Sequence, residues 1–160
     1  MEIISPHISY REATFSDIAI RYHLLNTPTE EQLTNMKRIA WAVFEPLRVF
    51  LGGKTIHINS FFRSKELNIR IGGRAARSQH MANNNAAAMD LDNDDLLDGT
   101  NNLMIFNVIK EKLVFDQLIK EFPDSNGHPS WVHVSYCLNG NRNEVLESRW
   151  EKGRRIYINI

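Results

Sequence analysis

Three side chains have the types and spacing that can hold a divalent metal. They are His80 in Ser78-Gln79-His80, Asp90 in Ala88-Met89-Asp90 and His133 in Trp131-Val132-His133. Two imidazoles and one carboxylate suit zinc, which takes nitrogen and oxygen ligands in a tetrahedron. Three protein ligands leave a fourth corner for water, the arrangement of a catalytic rather than a structural site. By spacing alone, His133 reads equally as one side chain of a strand and His80 as a loop histidine. Asp92, two positions beyond Asp90 and so on the same face of an extended strand, is the alternative acid ligand. The acidic run Asp90-Leu91-Asp92-Asn93-Asp94-Asp95 does not make an EF-hand, because Asp95 stands where that loop needs glycine. The single cysteine, Cys137, cannot form an internal disulfide or a cysteine-rich metal site, and it is expected in the core with no base beside it. Arg63 offers a planar fork matched to a carboxylate, and a solvated arginine is its bland alternative.

Ordered motifs add context. Ser60-Phe61-Phe62-Arg63-Ser64-Lys65-Glu66-Leu67-Asn68, then Ile71-Gly72-Gly73, Ser78-Gln79-His80, Ala88-Met89-Asp90 and Trp131-Val132-His133-Val134-Ser135 follow one another along the chain. In this order they resemble the motifs S-G-[FY]-R-S-x-x-L-N, I-G-G, S-x-H, A-x-D and W-[VI]-H-[VI]-S of the peptidase M15 family. That family comprises zinc D-Ala-D-Ala carboxypeptidases and includes phage L-alanyl-D-glutamate endolysins. The resemblance spans roughly residues 55 to 136. It implies that His80, Asp90 and His133 bind Zn2+, that Arg63 and Ser78 bind the substrate carboxylate, and that the partner is a peptidoglycan stem peptide. It also implies a zinc D-Ala-D-Ala carboxypeptidase-like fold.

Two features depart from the family pattern. From His80 to Asp90 there are ten positions (90 minus 80) where the family usually has seven, and Asn83-Asn84-Asn85 stands where a glycine is usual. Three inserted residues cost little in a surface loop, since closure entropy grows logarithmically with length. The second departure is Ser130, which occupies the position three before the last histidine where many members carry an acidic general base. A serine without an activating base does not take a proton from zinc-bound water, although zinc itself acidifies that water. Asp124, His128 and Glu121 are the nearby candidates for a relocated base. Asp124 is favoured, against a plain role as a turn aspartate bonding its own backbone. The alternative to a working peptidase is a zinc-binding, peptidoglycan-binding module that has lost turnover.

The elements that must position these groups are legible from periodicity. Thr27-Pro28-Thr29-Glu30 reads as a helix start with Thr27 as cap, and Leu33, Met36, Ala40, Val43, Phe44 and Leu47 make the stripe of a helix ending near Gly52-Gly53. Lys54 to Asn59 alternates like a strand, and a short helix follows Ser60 or Ser64 and stops at Gly72-Gly73. Residues 74 to 102 read mainly as loop with a strand around Ala87 to Leu91. Asn101 to Leu113 returns to helical spacing. Phe115 to Phe122, Trp131 to Leu138 and Arg155 to Ile160 read as strands. Ser16 to Leu25 reads as an ambiguous short helix. The expectation is one α+β domain over residues 1–160, with a small, largely antiparallel sheet flanked by helices.

Composition removes other classes. With 160 residues, 42% of them hydrophobic, the chain has enough material for one core. Nineteen basic residues against nineteen acidic ones leave no basic footprint for nucleic acid. No apolar run approaches the roughly 20 residues of a membrane span. The first residues lack the cationic start and apolar block of a secretory signal. The expectation is therefore a chain cytoplasmic on synthesis and, in the phage setting the resemblance implies, released to the wall.

Overall fold

The structure, a computed structural model, describes residues 3–73, 78–94 and 99–160. Of the irregular stretch expected from 74 to 102, residues 74–77 and 95–98 lie outside the described residues, and Asp95 is among them. The fold is α+β.

Strands β1 (Ile3–Ser5) and β2 (Ile8–Ser9) form an antiparallel ribbon, followed by α1 (Tyr10–Thr14) and α2 (Asp17–Arg21). The Ser9 hydroxyl caps α1 by accepting from the Glu12 amide, and Ser16 caps α2 by accepting from Ala19. The helix expected over Ser16 to Leu25 is confined to Asp17–Arg21, because His23 takes a left-handed φ of 53° that no α-helix continues through.

The long helix begins two residues later than the sequence suggests. Thr29, not Thr27, is its cap: the Thr29 hydroxyl accepts from the Gln32 amide while the Gln32 side chain accepts from the Thr29 amide. It runs as α3 (Glu30–Ile39), a π turn over Ala40–Phe44, and α4 (Glu45–Phe50). Pro46 accounts for the wide turn, since its ring would collide with the carbonyl four residues back and it has no N–H to donate. Gly52 and Gly53 then close the helix. Both have positive φ, and their amides donate to the Val49 and Arg48 carbonyls.

After β3 (Ile58–Ser60) come α5 (Lys65–Arg70), a 3-10 turn (Gln79–Met81), β4 (Ala86–Leu91) and α6 (Asn102–Lys112). Then follow β5 (Gln117–Glu121), β6 (Trp131–Cys137), β7 (Glu144–Glu151) and β8 (Arg154–Asn159). Among the described residues, six strands form a sheet in the order β3-β4-β6-β5-β7-β8, antiparallel throughout except for the parallel β5–β7 pair. The strand expected from Lys54 is shorter than its alternation suggests. Residues before Ile58 lack a ladder, although Ile56 is buried like Ile58. Strand β7 is absent from the sequence-based expectation, because its half-charged sequence hides the alternation. It turns into β8 through Lys152-Gly153, both at positive φ, the geometry of a tight two-residue hairpin.

Helices α3 and α6 pack on one face of the sheet. Leu91, Met89 and Ala87 of β4, Leu118 of β5, and Val132 and Val134 of β6 meet Met36, Leu47, Phe44, Ile105, Phe106 and Ile109 there. Burying each large side chain contributes about 2 kcal/mol, so these helices are held by the sheet more than by their own propensity. Strand alternation sends Asp90 and His133 to the opposite face. Cys137, expected in the core, is half-buried and follows His133 in the alternation instead. Among the described residues, no helix is long and apolar enough to cross a membrane.

Candidate metal centre

The three expected ligands are held by two devices, a strand pair and a turn. Asp90 and His133 are directly opposed cross-strand partners on β4 and β6, so the antiparallel ladder sets their spacing. The ten positions from His80 to Asp90 include a tight turn. Asn84 and Asn85 both adopt left-handed backbone (φ 54° and 59°), and the Ala86 amide donates to the Asn83 carbonyl as β4 begins. Asparagine tolerates that conformation better than most residues, so the turn closes and delivers Asp90 opposite His133. His80 comes from the 3-10 turn on the same side. Its carbonyl accepts from the Arg63 amide at 2.9 Å, and the neighbouring Gln79 side chain donates to Asp116 at 2.7 Å.

The ligand atoms converge. His80 Nε2 lies 3.2 Å from His133 Nδ1 and 3.2 Å from Asp90 Oδ1, and His133 Nδ1 lies 2.9 Å from that same oxygen. Zinc bonds of about 2.0–2.1 Å separate ligand atoms by roughly 3.3 Å at a tetrahedral centre, so the three donors are spaced to fit the ion. Among the described residues this is the one group of three or more metal-ligating side chains drawn so closely together. The tautomer of His80 also fits. Its Nδ1 donates to the Phe61 carbonyl at 2.8 Å. A carbonyl only accepts, so the ring proton is on Nδ1 and the Nε2 lone pair faces the cluster.

Electrostatics favour the binding-competent forms. Burial lowers the His80 pKa from the ordinary histidine value, against the opposing pull of Asp90 and with the help of Arg63. Burial alone would raise the Asp90 carboxyl. The adjoining His80 and His133 outweigh it and hold the carboxyl well below the ordinary aspartate value. Arg63 contributes a further cation, with Nη2 donating to Asp90 Oδ2 at 2.7 Å and Nε donating to the Ser60 hydroxyl at 2.9 Å. These contacts use two of the five guanidinium N–H groups.

The remaining expected residues are placed differently. Ser78 opens the turn that carries His80. Asp92 lies just past the end of β4, where its Oδ1 accepts from the Asn102 side chain at 2.9 Å, so it is not beside Asp90 on the strand face. Ser130 donates its hydroxyl to the Phe122 carbonyl at 3.0 Å. Asp124 caps its own turn, accepting from the Asn126 and His128 amides at 2.8 and 3.0 Å, and those amides lower its pKa. Glu121 is buried against the Ser148 hydroxyl and the Arg155 guanidinium. His128 is different: its Nε2 sits 2.9 and 3.0 Å from the two carboxylate oxygens of Asp94, and both side chains are partly open to solvent.

Sequence reasoning missed the supports around the centre. Asn26 accepts from the Ser64 amide at 2.7 Å and donates to the Thr14 and Phe62 carbonyls, bracketing Arg63. Asp116 holds Gln79 and accepts from both Nε and Nη2 of Arg142 at 2.8 and 2.7 Å. Nothing local marks Asn26. The spacing of Asp116 and Arg142 likewise becomes meaningful only once β5 and the loop before β7 are side by side.

A search of the curated proteins finds no match. The family model described as Peptidase M15 matches residues 6–135, which include all three converging ligands, and the chain belongs to the peptidase M15 family.

Proposed function

We propose that the protein is a zinc peptidase that hydrolyses the peptide stems of peptidoglycan, at a terminal D-Ala-D-Ala bond or an internal bond involving D-glutamate. The observation that carries this reading is the meeting of His80 Nε2, His133 Nδ1 and Asp90 Oδ1 within 2.9–3.2 Å of one another. Membership of the peptidase M15 family supports it. His80, Asp90 and His133 would hold the ion. When bound there, zinc supplies Lewis acidity and a water whose pKa is near neutrality.

The chain's own residues do the rest. Arg63 orients Asp90 through Oδ2, and its remaining donors meet the substrate carboxylate, with Ser78 assisting from the turn. The Phe61 carbonyl keeps the His80 proton on Nδ1, away from the ligand atom. For the general base, we take His128 as the candidate left once Asp124 and Glu121 are set aside. Asp124 is engaged by turn amides, and Glu121 is buried against a cation and a hydroxyl. His128 is oriented by the Asp94 carboxylate, as catalytic imidazoles commonly are, which leaves Nδ1 to accept a proton.

A second reading, a zinc-containing wall-binding module without turnover, draws support from Ser130, whose hydroxyl is donated to a backbone carbonyl. Digestion of purified peptidoglycan by the zinc-loaded chain, analysed by mass spectrometry, separates the two. The peptidase reading expects new stem-peptide fragments, slowed by roughly 10²-fold or more in His128→Ala with zinc content unchanged. Absence of fragments at one zinc per chain selects the wall-binding module.

A further inference from the structure

The sheet face that carries Asp90 and His133 continues beyond them into an aromatic surface. Trp131 lies two residues before His133 on β6, so both side chains leave the same face about 7 Å apart along the strand. Across the ladder, Trp131 is paired with Glu121, Glu121 with Ser148, and Ser148 with Tyr157, while Trp150 is paired with Arg155. All of these lie on the ligand-bearing face. Phe122 ties them together, with its ring centroid 5.5 Å from Trp131 in a tilted contact and 5.5 Å from Trp150 in a near-parallel stack. Arg155 lies over both Phe122 and Tyr157 and is fixed from behind by Glu121.

Two features distinguish this surface from ordinary packing. Trp150 is 67% exposed and Tyr157 48% exposed, although each is braced by a neighbour, so broad ring surface is held rigid and open. Phe122 has a φ of 45°, a left-handed conformation that a bulky residue rarely adopts, and its ring stacks against Trp150. The hairpin β7–β8, which brings Trp150, Arg155 and Tyr157, lies outside the residues matched by the family model.

We propose that this surface binds the sugar rings of the glycan strand from which the stem peptides hang. The proposal rests on the peptidoglycan reading of the metal centre. Pyranose rings present flat C–H faces that stack on exposed aromatic rings, and their hydroxyl and acetamido edges suit the adjoining Arg155 guanidinium, which is about one-third exposed. Continuity of the face with the metal ligands selects this occupant. A stem peptide entering the centre remains attached to its sugar, and the aromatic surface lies on the same sheet face within the few residues' reach of an extended stem.

The test uses the full chain and a peptide-free probe, the tetramer of N-acetylglucosamine, read by the NMR signals of the tryptophan indoles. The proposal expects shifts at Trp150 and Trp131 and a weakening of about tenfold in Trp150→Ala. Trp150→Phe, which keeps a ring, should retain most of the binding. His133→Ala should bind the tetramer as the parent does, so loss of the peptidase reading leaves this result intact. Absence of binding by the parent, or equal binding by parent and Trp150→Ala with both proteins folded, overturns the proposal. So does a Trp150-dependent dimer in sedimentation, or a response of Trp150 to sugar-free stem peptide but not to the tetramer.

Discussion

At the scale of single residues, the centre is a set of lone pairs aimed by hydrogen bonds. The Phe61 carbonyl fixes the His80 proton, and Arg63 takes the Asp90 oxygen that the histidines do not approach. Because metal binding is linked to folding, His133→Ala should lose zinc, and the rise in melting temperature that zinc gives the parent should vanish. Zinc content equal to the parent's would contradict this. A second prediction concerns the support behind His80. The Arg142 side chain, aided by Gln79, holds the Asp116 carboxyl below the ordinary aspartate value despite burial. The folded state therefore binds this proton more weakly than the unfolded chain does. The stabilisation is complete above the unfolded value of about 3.9 and fades as pH falls through the folded value. Asp116→Asn should lose about 1–3 kcal/mol at pH 7, and less as the pH is taken towards 3, in chemical denaturation series. A loss independent of pH would contradict the charged role.

At the scale of elements, two adjacent strands and one turn do the positioning, and the insertion before Asp90 is the vulnerable joint. Asn84 and Asn85 sit in left-handed backbone. Asn84→Ala should cost about 1 kcal/mol in urea unfolding, while Asn84→Gly should be neutral or stabilising; equal effects would mean that the turn conformation is not what matters. The strands on either side are the most legible part of the sequence. The W-V-H-V-S segment reads as a strand from its β-branched and aromatic residues, whereas the A-x-D segment, buried along its whole length, shows no alternation and is marked by its motif alone. Strand β7 is illegible for another reason. Its Glu, Arg and Trp face solvent or a charged partner, and its place beside β5 is a long-range parallel pairing that no local period encodes. The cap at Thr29 reads from sequence as Thr27 because both threonines closely precede acidic residues. Only the reciprocal Thr29–Gln32 bonds decide between them. Asp124 illustrates the same limit at a site residue. Its type suits a base, but the two turn amides it accepts from are invisible until the loop is folded.

At the scale of the whole molecule, the sheet divides the protein into a structural face and a chemical face. Helices α3 and α6 cover the first, and the second carries the strand-borne ligands and the aromatic surface in one continuous register. The hairpin β7–β8 extends the sheet beyond β5, so the edge strand is the amphipathic β8 rather than the half-buried β5. The peptidase reading of the chemical face holds only if its three converging side chains take up an ion. The zinc K-edge X-ray absorption spectrum of the zinc-loaded full chain tests that most directly. It should contain two imidazole nitrogens with oxygen neighbours at about 2.0–2.2 Å and no sulfur shell. A sulfur shell from Cys137, or a spectrum of hydrated zinc without imidazole, would contradict the account.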